Sequence, residues 1–132
     1  MFKLSVVTPE KVVFEQDVRS IIAPGSEGYL GVLTDHAPLI TALMAGELTV
    51  ADVNGKRNEY AVSGGFLEVS GNIATVLADA IETPEDIDLE RARQAEARAR
   101  ERLARRSHSD IDEARAEAAL ARALNRQRLA RK

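Results

Sequence analysis

Cysteine and tryptophan are absent from this 132-residue chain. Without cysteine there is no disulfide, no thiolate nucleophile and no Cys-based metal site. Glycine, proline and the aromatics are present but confined: all 8 Gly, all 4 Pro and all five aromatics (3 Phe, 2 Tyr) lie at or before Pro84. Residues 85–132 contain none of them. Long apolar runs are missing too, and none approaches the roughly 20 residues of a membrane-spanning helix. The start, Met1-Phe2-Lys3-Leu4, lacks the basic and then apolar pattern of a secretory leader. A cytosol-facing protein fits these absences.

What remains divides the chain into a body, residues 1–84, and an arm, residues 85–132. The body holds five Lys/Arg against eleven Asp/Glu, a net −6; the arm holds thirteen against ten, a net +3. The arm is rich in Ala and Arg, twelve of each. A nucleic-acid arm would be more one-sidedly basic and would carry aromatics for stacking, so no nucleic-acid partner is expected.

The body reads as short strands parted by turn residues. Phe2, Leu4 and Val6 alternate with Lys3 and Ser5. Val12-Val13-Phe14, Val18 to Ala23 and Tyr29 to Leu33 follow, with Thr8-Pro9-Glu10 and Pro24-Gly25-Ser26 as breaks. Leu48 to Val53 meets Asn54-Gly55, a hairpin signal because both residues tolerate positive φ. Ser63-Gly64-Gly65-Phe66 predicts a tight bend where backbones approach, with Phe66 in the core. Ser70-Gly71-Asn72 predicts another hairpin. About 8–10 short strands in 84 residues predict an all-β sandwich or flattened barrel.

The arm consists of strong helix formers. Ser107-His108-Ser109-Asp110 interrupts it, and Asp110 with Glu113 has a capping-box spacing. Two helices, about 87–105 and 110–130, therefore form an antiparallel hairpin. Their inward stripes read Leu89, Ala92, Ala95, Ala99 and Leu103 on one helix, and Ala116, Leu120, Ala123 and Leu124 on the other, with Ile111 near the turn. Alanine buries little apolar surface, so an isolated hairpin of this kind is marginal and suits a switch.

Arginine spacing gives the arm its candidate chemistry. Arg91 and Arg98 are two turns apart on one face; Arg122 and Arg126 are one turn apart on another. Folding the chain about His108 brings Arg91 level with Arg126, and Arg98 within a turn of Arg122. Guanidinium forks match phosphate oxygens, so a polyphosphate could sit between them. Asp88 could orient an arginine or accept from a ribose or base. The commoner reading of such a surface is a solvated helix with Glu–Arg pairs, such as Glu101–Arg105. Neither Gly25-x-x-Gly28-x-x-Gly31 nor Gly55-Lys56-Arg57 has the spacing of a nucleotide-binding loop. No metal-ligand spacing surrounds His36 or His108, and nothing orients His36 as a catalytic base. His36 reads as a loop residue at a contact surface, and no catalytic residue is expected.

Five segments carry a family resemblance: Val6-Val7-Thr8-Pro9; Gly28 to Leu33 with His36-Ala37-Pro38-Leu39; Ser63 to Val69; Asp86-Ile87-Asp88 with Arg91-Ala92; and Arg122 to Arg126. In order and spacing, they resemble the epsilon subunit of the F-type ATP synthase over essentially the whole chain. The resemblance implies a non-catalytic rotor subunit in the central stalk, bound to the gamma subunit and resting on the ring of c subunits. It implies a hairpin that either folds on the sandwich or extends into the alpha/beta catalytic head, where it inhibits ATP hydrolysis. It further implies ATP as a regulatory ligand, no required cofactor, and an ATP site at Glu82, Ile87, Asp88, Arg91, Ala92, Arg98, Arg122 and Arg126. Tyr29 and His36 fall at the implied c-ring and gamma contact, where several relatives carry an acidic residue in place of Tyr29. The implied location is peripheral, at the cytoplasmic face of the bacterial plasma membrane rather than a plastid thylakoid. A stand-alone module whose basic arm grips an acidic partner is the alternative.

Overall fold

The computed structural model describes residues 1–104 and 113–130. By internal contacts the chain forms two compact units, Met1–Glu82 and Thr83–Lys132.

The first unit contains seven strands: β1 (Phe2–Val7), β2 (Val12–Gly25), β3 (Gly28–Leu33), β4 (Leu39–Asp52), β5 (Arg57–Ser70), β6 (Ile73–Ala78) and β7 (Ile81–Glu82). They form one sheet in the order β1-β6-β5-β4-β2-β3, with β7 on β5. β1 pairs with both β6 and β2, so the sheet closes on itself as a flattened barrel. The β1–β6 pairing is parallel; the others are antiparallel. Alternate residues point inward. Leu4, Val6, Val18, Ile21, Leu48, Val50, Leu67 and Val76 fill the closed core. Phe14 and Tyr60 pack at its margin, ring centroids 5.4 Å apart.

Seven strands replace the expected 8–10, and three of them are 14 residues long. The difference has a local cause. β2 shifts register between Val18 and Ser20, and again between Ile22 and Gly25. Its first half pairs with β1 and its second with β3 and β4. Such irregularities bend a strand and break its alternation. The apolar runs 12–14 and 18–23 are therefore two halves of one bent strand.

β5 keeps its pairing register throughout but changes its inward phase at Gly64 and Gly65, whose φ values are +104° and +133°. A Cβ on Gly65 would strike the carbonyl oxygen of Leu77 and stand 3.0 Å from the Ala78 Cα. Beyond these glycines, Leu67 and Val69 face inward. Phe66 consequently faces outward and is 54% exposed, which corrects its expected place in the core.

The two expected hairpins form with different turns. Gly71 (φ 58°) and Asn72 (φ 60°) make a two-residue turn between Ser70 and Ile73, both in the left-handed region. At Asn54-Gly55 only Gly55 has positive φ. There the Asp52 carboxylate accepts from the backbone N–H of Asn54 and Lys56, each at 2.9 Å, and organises a four-residue loop.

The second unit opens with a short 3-10 turn, Pro84–Asp86, followed by α1 (Leu89–Ala104) and α2 (Glu113–Ala130). Together the helices make the antiparallel hairpin. α1 starts two residues later than expected because Ile87 is extended, with ψ 122°, and Asp88 caps the helix. Residue 105, the turn at 107–110, His108, Ile111 and the capping-box Asp110 lie outside the described residues. Ala92, Ala99, Ala116 and Ala123 are buried, but Leu124 is 38% exposed. Gln127, one turn beyond Ala123, is buried in its stead.

Candidate functional site

The motif at the start of α1 is built by capping. Asp88 Oδ1 accepts from the Arg91 N–H at 3.0 Å, and the Asp88 carbonyl accepts from Ala92 N–H at 3.0 Å. One carboxylate oxygen is thus engaged in starting the helix. Ile87 and Ala92 are buried on either side of this cap, while Asp88 and Arg91 are exposed. Thr83 Oγ1 donates to Asp86 Oδ2 at 2.7 Å and closes the preceding turn. Glu82 ends β7 in the first unit and is half-buried.

Gln127 Nε2 donates to Glu96 Oε1 at 2.7 Å and ties the two helices together. Arg91 and Arg98 flank this tie along α1, and Arg122 and Arg126 precede it along α2. Arg98 is exposed; Arg122 and Arg126 are half-buried.

Glu90 and Arg93 pair at 4.0 Å on the solvated face of α1, and half-buried Glu96 pairs with exposed Arg100 at 2.7 Å. Among the described residues, Arg91, Arg98 and Arg122 take part in no ion pair. The expected Glu101–Arg105 pair involves a residue outside the described set.

Asn125 and Gln127 were not anticipated by sequence reasoning. Both are buried, and Asn125 Oδ1 accepts from Arg128 Nη2 at 2.7 Å. Two amides in a helix otherwise made of Ala, Arg, Glu and Leu were the available signal, since Asn is a poor helix former.

On the first unit, Tyr29 lies in edge strand β3 opposite Pro24. Its hydroxyl accepts from the Glu47 N–H at 3.0 Å, while the residue remains 58% exposed. Gly46 makes that seating possible: a Cβ there would stand 2.8 Å from the Tyr29 hydroxyl and 2.6 Å from Pro24. His36 is half-buried in the β3–β4 loop. Its Nδ1 lies 2.6 Å from the Ala37 carbonyl, an acceptor, which assigns the proton to Nδ1. The loop is tied down by Asn72, whose Oδ1 accepts from the Asp35 N–H at 2.9 Å and whose Nδ2 donates to the Met1 carbonyl at 3.2 Å.

A second surface feature escaped sequence reasoning. Ala42, Phe66, Leu77 and Val7 are successive cross-strand partners over β4, β5, β6 and β1. Phe66 and Leu77 are exposed, as are Ile40 and Met44 on β4. The row is therefore an apolar strip on the outside of the sheet, the kind of surface that marks a docking site. Its signal was the pair of glycines before Phe66, which resets the inward–outward phase.

A small closed β platform with an apolar outer strip, carried on one chain with a basic two-helix hairpin, defines a docking subunit. The comparisons with known proteins identify the assembly. Residues 1–84 match the ATP synthase Delta/Epsilon chain β-sandwich domain, and residues 85–131 the long α-helix domain of the same chain. The chain belongs to the ATP synthase delta/epsilon family. It is 50% identical to the ATP synthase epsilon chain of Desulforamulus reducens, over 94% of this chain and 92% of that one. The corresponding figures for Moorella thermoacetica are 51%, 93% and 91%. A chain in the cryo-EM structure of the Euglena gracilis mitochondrial ATP synthase superposes with a TM-score of 0.78 at 27% identity, covering 92% of this chain and 76% of that one. The protein is thus a non-catalytic central-stalk subunit of a membrane-associated complex. No helix among the described residues is long and apolar enough to cross a membrane.

Proposed function

We propose that the chain is a rotor subunit with two tasks: its sandwich joins the gamma subunit to the c-subunit ring, and its hairpin regulates ATP hydrolysis. The apolar strip of Ile40, Met44, Phe66 and Leu77 supports the docking task, with gamma as the occupant. Exposed Tyr29 and the Asn72-tethered His36 loop form the contact nearest the ring. The Euglena relative was solved together with its c-ring, which agrees with this placement. The complex sits at the cytoplasmic face of a bacterial plasma membrane, as suggested by the bacterial sources of the relatives that match almost end to end.

For regulation, ATP binds the folded hairpin and stabilises it against extension into the alpha/beta catalytic head. The observation that carries this reading is that Arg91, Arg98 and Arg122 take part in no ion pair among the described residues, on two helices that Gln127 and Glu96 tie together. Guanidiniums left without carboxylate partners suit the oxygens of a polyphosphate. Asp88 keeps one oxygen for the helix cap and offers the other to a ribose or base. Ile87, Arg91 and Ala92 complete the α1 side of the site, and Glu82 is the further residue that the family resemblance implies.

Titrating ATP into the isolated protein tests this. A ligand at 100 times its Kd stabilises the state it binds by about 2.7 kcal/mol, which a thermal scan resolves. ATP is expected to raise the melting temperature of the hairpin, and Arg98→Ala or Arg122→Ala to abolish the rise. No shift at millimolar ATP would end the sensor reading and leave the family membership untouched.

A further inference from the structure

Among the described residues, the two that have positive φ without being glycine are Asp35, at 63°, and Asn72, at 60°. Asp35 lies in the β3–β4 loop and Asn72 in the β5–β6 turn, 37 residues apart. They meet: Asn72 Oδ1 accepts from the Asp35 N–H at 2.9 Å. Asp and Asn enter the left-handed region more readily than other side chains, but such a geometry persists only where the surrounding structure holds it.

Asn72 is itself well held. With Gly71 it forms the two-residue turn between the paired residues Ser70 and Ile73. Its carbonyl accepts from the Lys3 N–H at 3.3 Å, and its Nδ2 donates to the Met1 carbonyl at 3.2 Å. The partners leave the amide one orientation. Asp35 offers an N–H, which needs an acceptor, and Met1 offers a carbonyl, which needs a donor. One side chain thus joins the first residues of the chain, the β5–β6 turn and the β3–β4 loop.

Residues 34–38 have little else to fix them. Thr34, Asp35, Ala37 and Pro38 are exposed. The His36 N–H donates to the Leu33 carbonyl at 3.2 Å, and His36 Nδ1 meets the carbonyl of its neighbour Ala37, so both contacts stay within the loop and its stem. Among the described residues, the Asn72 bond is the one side-chain hydrogen bond that carries this loop to another segment. Without it, a partner that needs one conformer of the loop would have to supply the ordering on binding.

We propose that Asn72 is the positioning residue of the β3–β4 loop, which it holds ready for the ring of c subunits. Asn72 acts through the backbone of Asp35, beside His36. Its role towards the ring rests on the docking reading of this loop; the tether does not.

Two replacements separate the tether from the turn. Glycine adopts φ 60° freely, so Asn72→Gly keeps the turn and removes both side-chain bonds. Asn72→Asp keeps an acceptor for the Asp35 N–H, loses the donor to Met1 and still tolerates the left-handed conformation. Amide exchange at Asp35, read by NMR in the full-length chain, reports the tether. In the parent, Asp35 should exchange more slowly than Ala37, whose N–H has no partner among the described residues. That comparison needs no variant to fold. Exchange at Asp35 should be about fivefold faster in Asn72→Gly, the loss of one ordinary hydrogen bond, and near the parent rate in Asn72→Asp. Release from an immobilised assembly of the gamma subunit and the c ring reports positioning. It should be about fivefold faster for Asn72→Gly and unchanged for Asn72→Asp. Equal exchange at Asp35 and Ala37 in the parent, or exchange at Asp35 that ignores Asn72→Gly, overturns the tether. Fast exchange in Asn72→Asp as well overturns the acceptor role of the side chain. A loosened loop with unchanged release overturns the positioning role. If Tyr29→Ala with His36→Ala also leaves release unchanged, the ring reading falls and the tether stands.

Discussion

Gly65→Ala tests the phase change on which the outer strip depends. The backbone at Gly65 has φ +133°, a conformation that L side chains rarely adopt. Forcing a non-glycine residue there costs about 1–3 kcal/mol. The added Cβ would also strike the Leu77 carbonyl oxygen and crowd the Ala78 Cα at 3.0 Å. Both obstacles are backbone atoms of paired strand β6, which can yield only by moving the strand. Overpacking of that kind adds about 1–3 kcal/mol. The combined loss is about 2–6 kcal/mol, a large share of the 5–15 kcal/mol typical of a folded protein.

The control is Gly71→Ala. Gly71 also has positive φ, 58°, but a Cβ there meets nothing within 4 Å. Only the left-handed strain of about 1–2 kcal/mol applies. Urea denaturation followed by far-ultraviolet circular dichroism measures both variants. Gly65→Ala should lower the midpoint well beyond Gly71→Ala, with the slope unchanged. Equal losses would refute the close approach of β5 to β6. The outward reset of Phe66 would then need another cause.

Three further outcomes follow from the same geometry. Burial raises the Tyr60 phenol above its ordinary 10.0. The folded chain then holds that proton to higher pH than the unfolded one. The stability carried by neutral Tyr60 is complete below about pH 10 and is lost as pH rises through the raised value, so Tyr60→Phe should flatten the fall in urea midpoint above that pH. Asp88→Ala removes the α1 cap and should cost about 1 kcal/mol of hairpin stability, visible as lost helicity at 222 nm in a thermal scan; unchanged helicity would remove the capping role. Phe66→Ser, at an exposed position, should leave the urea midpoint within about 0.5 kcal/mol while weakening capture of the gamma subunit in a pull-down; retained capture would exclude the strip as the gamma surface.

The sequence carried the class of each element better than its extent. Strand periodicity in 12–14 and 18–23, or in 58–62 and 66–69, was legible, but the joins were not. Each join is a point at which alternation changes phase, so one long strand reads as two short ones. Phe66 was misplaced for the same reason: its phase is set by Gly64 and Gly65, not by its own hydrophobicity. Turn chemistry misled in a smaller way. Asn54-Gly55 looks like the tight turn, yet the Asp52 carboxylate takes over that loop, and Gly71-Asn72 makes the two-residue turn. Asp88 was legible as a special position, but its capping of α1 appears only with the backbone in view.

The alanine-rich seam bears on how little is needed to move the hairpin. Four buried alanine methyls contribute about 3 kcal/mol of apolar burial at about 0.8 kcal/mol each, and buried Leu129 about 2 kcal/mol more. A ligand at 100 times its Kd contributes about 2.7 kcal/mol, about half as much. In a seam of leucines the same ligand would be a minor addition to a stable interface. Here it would change the population of the folded hairpin by about a hundredfold. Replacing Ala99 and Ala123 by leucine would distinguish the two cases where the seam accommodates the added volume. The variant should hold its helicity to higher temperature and lose most of the dependence of its melting on ATP. A variant that melts higher yet keeps the full ATP response would show that the ligand acts elsewhere than on hairpin closure.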